Sequence, residues 1–105
     1  MNRQQQIESF LLAAHRVALA RLRAEPARIA RVRAQLARWR QRSGPGRSDP
    51  YWDEWEQLLH AGLDELDRAV CSEQEHAAVL RSVSPMSVLL TQRERAELLR
   101  EARDA

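Results

Sequence analysis

The stretch from Ile7 to Arg42, IESFLLAAHRVALARLRAEPARIARVRAQLARWRQR, decides the fold class. Ile7, Phe10, Leu11, Ala14, Val17, Ala18 and Leu22 follow steps of three and four, the spacing that lines one face of an α-helix. Leu12 and Leu19 widen that face, so the helix, predicted over 4–24, needs more than one neighbour to cover it. Glu25-Pro26 then breaks the pattern. Proline has no amide to continue a helix and disfavours helical geometry in the residue before it, yet it suits a first helical position. A second helix therefore restarts at Pro26 and reaches Arg42, with Ile29, Val32, Leu36 and Trp39 on its apolar stripe. Two helices joined by a sharp turn read as a helical hairpin over residues 1–42.

Downstream, Ser43-Gly44-Pro45-Gly46-Arg47-Ser48 has loop composition and leads through a loop at 43–49 into a second half, 50–105. Asp49-Pro50 supplies an N-cap and a first-turn proline for a third helix carrying Tyr51, Trp52, Trp55, Leu58 and Leu59. Gly62 ends it, and a short fourth helix follows from Leu63 to Cys71 with Leu63, Leu66 and Val70 at helical spacing. Ser72 with Glu75 reads as a capping box for a fifth helix through Val83, and Ser84-Pro85 stops it ahead of one more turn over Met86 to Leu90. Thr91 with Glu94 reads as a second capping box, opening a last helix with Leu98, Leu99 and Ala102 inward. No strand pattern or internal repeat interrupts this. The expectation is an all-α fold, a small bundle of five to six helices, in one domain over 1–105.

Composition agrees. With 44% hydrophobic and 30% charged residues the chain is too apolar for disorder, and 105 residues suffice for one core. All 17 basic residues are arginine, which a GC-rich codon usage explains most simply. Their placement says more. Residues 1–47 hold eleven Arg against Glu8 and Glu25, a net charge of +9, whereas residues 48–105 hold six Arg against thirteen acids, a net charge of −7. The lone Cys71 excludes an intrachain disulfide, no apolar run approaches a membrane span, and the polar start lacks a signal-peptide core, so a cytoplasmic location is expected.

Catalytic parts are missing from the pattern. His15, His60 and His76 are scattered, with no metal-ligand spacing, and neither a cofactor nor a metal is expected. Cys71 reads as a packing thiol, and the pairs Asp53/Glu56 and Asp64/Asp67 as solvated helix faces. Binding readings have more support. Four of the five aromatic residues fall between Trp39 and Trp55, and Tyr51, Trp52 and Trp55 with Asp53 and Glu56 have the composition of a protein-binding hot spot, although part of the cluster must serve the core. Arg28, Arg31, Arg38 and Arg42 share one flank of the second helix and could meet nucleic-acid phosphates, with Trp39 among them placed by phase in the core.

Two resemblances bear on this. Leu90 to Leu99 looks like the opening of a LuxR-type helix-turn-helix, but the turn and reading helix would fall after Ala105, and the Thr91–Glu94 capping box accounts for the likeness. Ala14-His15-Arg16, Leu36-Ala37-Arg38-Trp39, Tyr51-Trp52-Asp53-Glu54-Trp55 and Arg81-Ser82-Val83-Ser84-Pro85 together resemble a group of small helical bacterial proteins, accessory or antitoxin-like members of two-gene modules. That resemblance implies a protein partner encoded beside the chain and no catalytic residues. The first expectation is thus a non-catalytic protein-interaction module, the alternative a nucleic-acid-binding regulator; a homo-oligomer joining basic to acidic surfaces is compatible with either.

Overall fold

The computed structural model describes residues 2–104, and its element order follows the punctuation of the sequence. Six α-helices, α1 (Arg3–Ala24), α2 (Ile29–Ser43), α3 (Asp49–Ala61), α4 (Leu63–Val70), α5 (Glu75–Ser82) and α6 (Gln92–Asp104), are joined by 3-10 turns at Pro26–Arg28 and Pro85–Leu89. Among the described residues there is no strand, and no helix is long and apolar enough to cross a membrane.

The helix ends show which local signals prevailed. Asn2 and Gln5 form a reciprocal capping box at the start of α1, Gln5 N–H donating to Asn2 Oδ1 at 2.8 Å. Thr91 and Glu94 do the same ahead of α6. The expected box at Ser72 and Glu75 does not form: Ser72 Oγ accepts from Gln74 N–H, and Gln74 takes the N-cap position of α5 without a side-chain capping bond. The Ser72 carbonyl is held instead by Arg81 Nη1 at 2.6 Å, which keeps this turn out of the helix. Asp49 does not cap α3 from outside either. It is the first helical residue, and its carboxylate accepts Gly46 N–H at 3.1 Å to close the preceding loop. At Gly62, φ is +109°, a backbone region hostile to side chains, so only glycine lets α4 follow α3 without a spacer.

The core gathers both halves of the chain. Leu19, Leu22, Val32 and Leu36 pack with Trp55, Leu59, Leu66, Val70, Leu80 and Met86 in one cluster. After the turn at Pro26 the two arms diverge: α1 packs on α4, α5 and α6, while α2 packs on α3 and the 85–89 turn. The basic and acidic segments are therefore interleaved in space. Two expected core residues lie outside: Ile7 is 39% exposed and Leu99 41% exposed. The first turns of α1 project past the core, and α6 turns Ala102 and, partly, Leu98 inward.

Candidate functional site

The aromatic-acidic patch expected at 51–56 is taken apart by the fold. Trp55 is fully buried, and its indole N–H donates to the Leu80 carbonyl at 2.9 Å, so it is a core residue and cannot meet a partner. Trp52 is half-buried, with its N–H held by the Val83 carbonyl at 3.0 Å. Tyr51 is half-buried against the His76 ring, centroids 6.2 Å apart, and His76 Nε2 in turn lies 2.8 Å from the Glu54 carboxylate. Asp53 and Glu56 are both held by Arg40, at 2.6 and 3.0 Å. Period-3.6 phase alone places Trp55 one turn from Trp52 and Tyr51; it does not tell which of them the core claims.

Charge segregation along the chain is likewise partly cancelled in space. Arg21 forks onto Glu94, with Nη1 2.9 Å from Oε1, and also reaches the Leu89 carbonyl. Arg23 spans Asp64 and Asp67 at 3.0 and 2.9 Å. Together with Arg40 of α2, which holds Asp53 and Glu56 of α3, these pairs tie the basic segment to the acidic one. Arginine suits this work because its planar fork serves two acceptors at once. The Glu94 carboxyl is drawn down to about 2, first by Arg21 and then by the Thr91 backbone N–H.

Of the four arginines expected to contact phosphates, Arg28 is paired with Glu25 at 2.8 Å, within its own turn. Arg38 bonds the Gln35 amide oxygen, while Arg31 and Arg42 have no hydrogen-bond or ion-pair partner among the described residues. Arg31, Arg38 and Arg42 are all exposed, and their spacing of seven and four residues puts them in one row along α2.

A feature without a counterpart in the sequence reading is an apolar chamber of about 360 Å³ between α1, α2, α3 and the 82–90 segment. Phe10, Trp39, Trp52, Met86 and Leu90 form its apolar walls, and His15, Ser84 and Arg81 reach it as well. The row Phe10, Ala14, Ala18 was the available signal: alanines one turn apart on a buried face leave space that two tryptophans, 6.3 Å apart, face without filling.

His15 is 5% exposed at the chamber wall. Its Nδ1 lies 2.7 Å from the Leu11 carbonyl, which can only accept, so Nδ1 carries the proton and Nε2 accepts from Ser84 Oγ–H at 2.7 Å. Ser84 Oγ also accepts Met86 N–H at 3.1 Å, which caps the 3-10 turn. Burial lowers the imidazole pKa to about 4; the Leu11 bond opposes this and the nearby Arg81 charge adds to it. A hydroxyl on an imidazole resembles a nucleophile and its base, but here Nδ1 is held by the Leu11 carbonyl, and among the described residues no carboxylate takes that position. The arrangement fits a neutral clasp between α1 and the 84–86 turn.

Cys71 is half-buried, and burial together with Asp67 pushes its thiol up to about 12, far from the thiolate that attack or metal binding requires. Among the described residues no group of three or more His, Cys, Asp or Glu side chains is arranged to hold a metal ion. No protein-family model, curated protein or solved structure matches the chain.

Proposed function

We propose that the chain is a non-catalytic protein-interaction module, an antitoxin-like neutraliser of a partner encoded beside it, and that it meets an acidic surface of that partner through α2. The observation that carries this reading is the row Arg31, Arg38 and Arg42: intramolecular pairing takes up Arg21, Arg23, Arg28 and Arg40 and leaves this row exposed, with no carboxylate partner among the described residues. Exposed guanidiniums on a rigid helix steer and orient an acidic partner at little cost in ordering. The aromatic patch is a poorer partner surface than the basic row, because Trp55 is core and Asp53 and Glu56 are already paired. A nucleic acid would use the same row. Against it, α3 packs beside α2 and carries Asp53, Glu54 and Glu56, of which Arg40 offsets one charge; the remainder opposes the long, continuous charge of a polyanion more than the local charge of an acidic patch.

The test is co-expression with the product of the adjacent reading frame, followed by affinity measurement with the wild-type chain and with Arg31→Ala, Arg38→Ala and Arg42→Ala combined. The triple variant should lose affinity by about tenfold or more, at unchanged thermal stability, since these side chains hold no acid in the fold. A neighbour that fails to bind, or binds both chains equally, rejects the proposal. Tight binding of a short DNA duplex that weakens steeply with salt and vanishes in the triple variant would transfer the row to phosphate recognition.

A further inference from the structure

The residues that line the chamber between α1, α2, α3 and the 82–90 segment are buried or half-buried, apart from Ser82 and Arg95, which are exposed. Among the described residues the large apolar side chains that face solvent, Ile7 and Leu99, do not line it. The apolar surface is therefore concave and stops at a polar rim. A partner helix or a second copy of the chain would need an apolar collar continuing out onto the surface. A small molecule needs only the concavity. The polar groups of the wall are mostly bonded already. His15 meets the Leu11 carbonyl and Ser84 Oγ through its two ring nitrogens, Ser84 Oγ also accepts the Met86 N–H, and the Trp52 N–H is held by the Val83 carbonyl. Arg81 Nη1 donates to the carbonyls of Val70 and Ser72, on the side of the groove it shares with Glu8 and Glu73, and its Nε has no accessible surface. No acidic residue lines the chamber. A charged ligand would give up its hydration there without gaining a counter-charge.

We propose that the chamber binds a small, neutral aromatic molecule of two fused rings that carries a single polar atom. Phe10, Trp39 and Trp52 bring aromatic rings to the wall and Met86 a polarisable sulfur, and these contacts favour a π-system over a saturated body of the same size. An apolar cavity of about 150 Å³ holds one benzene molecule. At about 360 Å³ the chamber has room for two fused rings. The Ser87 hydroxyl and the Trp39 indole N–H, on half-buried residues of the wall, are the groups left for the polar atom to meet. Since Arg31, Arg38 and Arg42 do not line the chamber, this inference and the proposed partner surface stand or fall separately.

The probe is 2-naphthol at neutral pH, followed by NMR of the full chain. Two controls accompany it: 2-naphthoate adds a negative charge to the same rings, and trans-2-decalol keeps the size and the hydroxyl without the π-system. 2-Naphthol should bind saturably and shift the indole N–H resonances of Trp39 and Trp52, which line the chamber, more than that of Trp55, which does not. Intermolecular NOEs should run from its ring protons to the Met86 methyl group and the Phe10 ring. 2-Naphthoate should bind at least about tenfold more weakly, for want of a counter-charge, and decalol about threefold or more weakly. Ala14→Leu places a branched side chain at the chamber wall and should remove the binding. Should that variant fail to fold, the NOEs to Met86 and Phe10 in the wild-type chain decide. Absence of saturation, shifts that spare Trp39 and Trp52, or 2-naphthoate binding as tightly as 2-naphthol overturns the proposal. So does self-association of the chain that 2-naphthol reverses, which would give the chamber to a second copy.

Discussion

Ser84 Oγ lies 2.7 Å from His15 Nε2, although 69 residues of chain separate them. The imidazole there is neutral because burial strips the water a charged ring would need, and the Arg81 charge adds to that effect. Its pKa is about 4 in the folded protein against 6.5 as the ordinary value. Between those values the unfolded chain binds the proton and the folded chain does not. The stability contribution is complete above pH 6.5, falls as pH drops toward 4, and is gone below it. A shift of this size corresponds to about 3 kcal/mol. Urea unfolding measured from neutrality downward should show that loss, and His15→Gln should flatten it. An unchanged slope in the variant would mean that His15 is not held neutral.

Glu94 titrates in a lower window. With its carboxyl drawn to about 2 from the ordinary 4.5, its contribution is complete above 4.5 and is lost as pH falls toward 2. Arg21 and the Thr91 capping box both act on this carboxylate, and although α6 packs along α1, Leu99 is exposed and Ala102 is its one fully buried residue, so the Glu94 contacts carry a large share of its anchoring. In Glu94→Gln, amide hydrogen exchange should accelerate throughout α6 and leave α3 and α5 unchanged. Thr91→Ala removes one cap and should cost about 1 kcal/mol. Uniform acceleration across all helices would show that α6 does not open independently.

How much of this could be read in the chain depends on the range over which each interaction acts. Pro26, Gly44, Pro50, Gly62 and Pro85 set the helix boundaries because their restrictions are local. The apolar stripes of α1 and α2 located Leu22, Val32 and Leu36 for the same reason. Charge placement misled because net charge per segment carries no information about pairing. Arg40 meets Asp53 and Glu56 only once α2 and α3 are packed, and the two lobes of the sequence become one stitched surface. The chamber and the His15–Ser84 clasp depend on contacts between α1 and the 81–90 segment, and the buried Arg81 on the Val70 and Ser72 carbonyls it holds; no local pattern encodes either. The Ser72–Glu75 box was legible and did not form, since Arg81 claims the Ser72 carbonyl.

Cys71 is expected to be a slow thiol. Burial first, and then the Asp67 carboxylate, raise its pKa to about 12 from 9.0, which reduces the thiolate fraction near neutrality by roughly three orders of magnitude. Alkylation of the folded chain with iodoacetamide should be correspondingly slower than that of a free cysteine, and urea should restore the ordinary rate. A folded-state rate matching glutathione would show that the thiol is neither buried nor held protonated.

Trp55 and Trp52 separate core from rim in one experiment. Both indoles donate to carbonyls of the 80–83 segment, but Trp55 is fully enclosed and Trp52 only half so. Replacing Trp55 by Phe removes ring volume from a packed interior and the 2.9 Å bond to the Leu80 carbonyl, which then keeps only a 3.3 Å contact with Val83 N–H. The cost should be about 2–3 kcal/mol, and Trp55→Ala about 3–5 kcal/mol, because the void left behind cannot be refilled. Trp52→Phe, where solvent can replace both the volume and the bond, should cost about 1 kcal/mol or less. Equilibrium urea unfolding of the three variants measures these differences directly. Equal losses at the two positions would mean that α3 turns a different face to the core, and the chamber bordered by Trp52 would lose its wall.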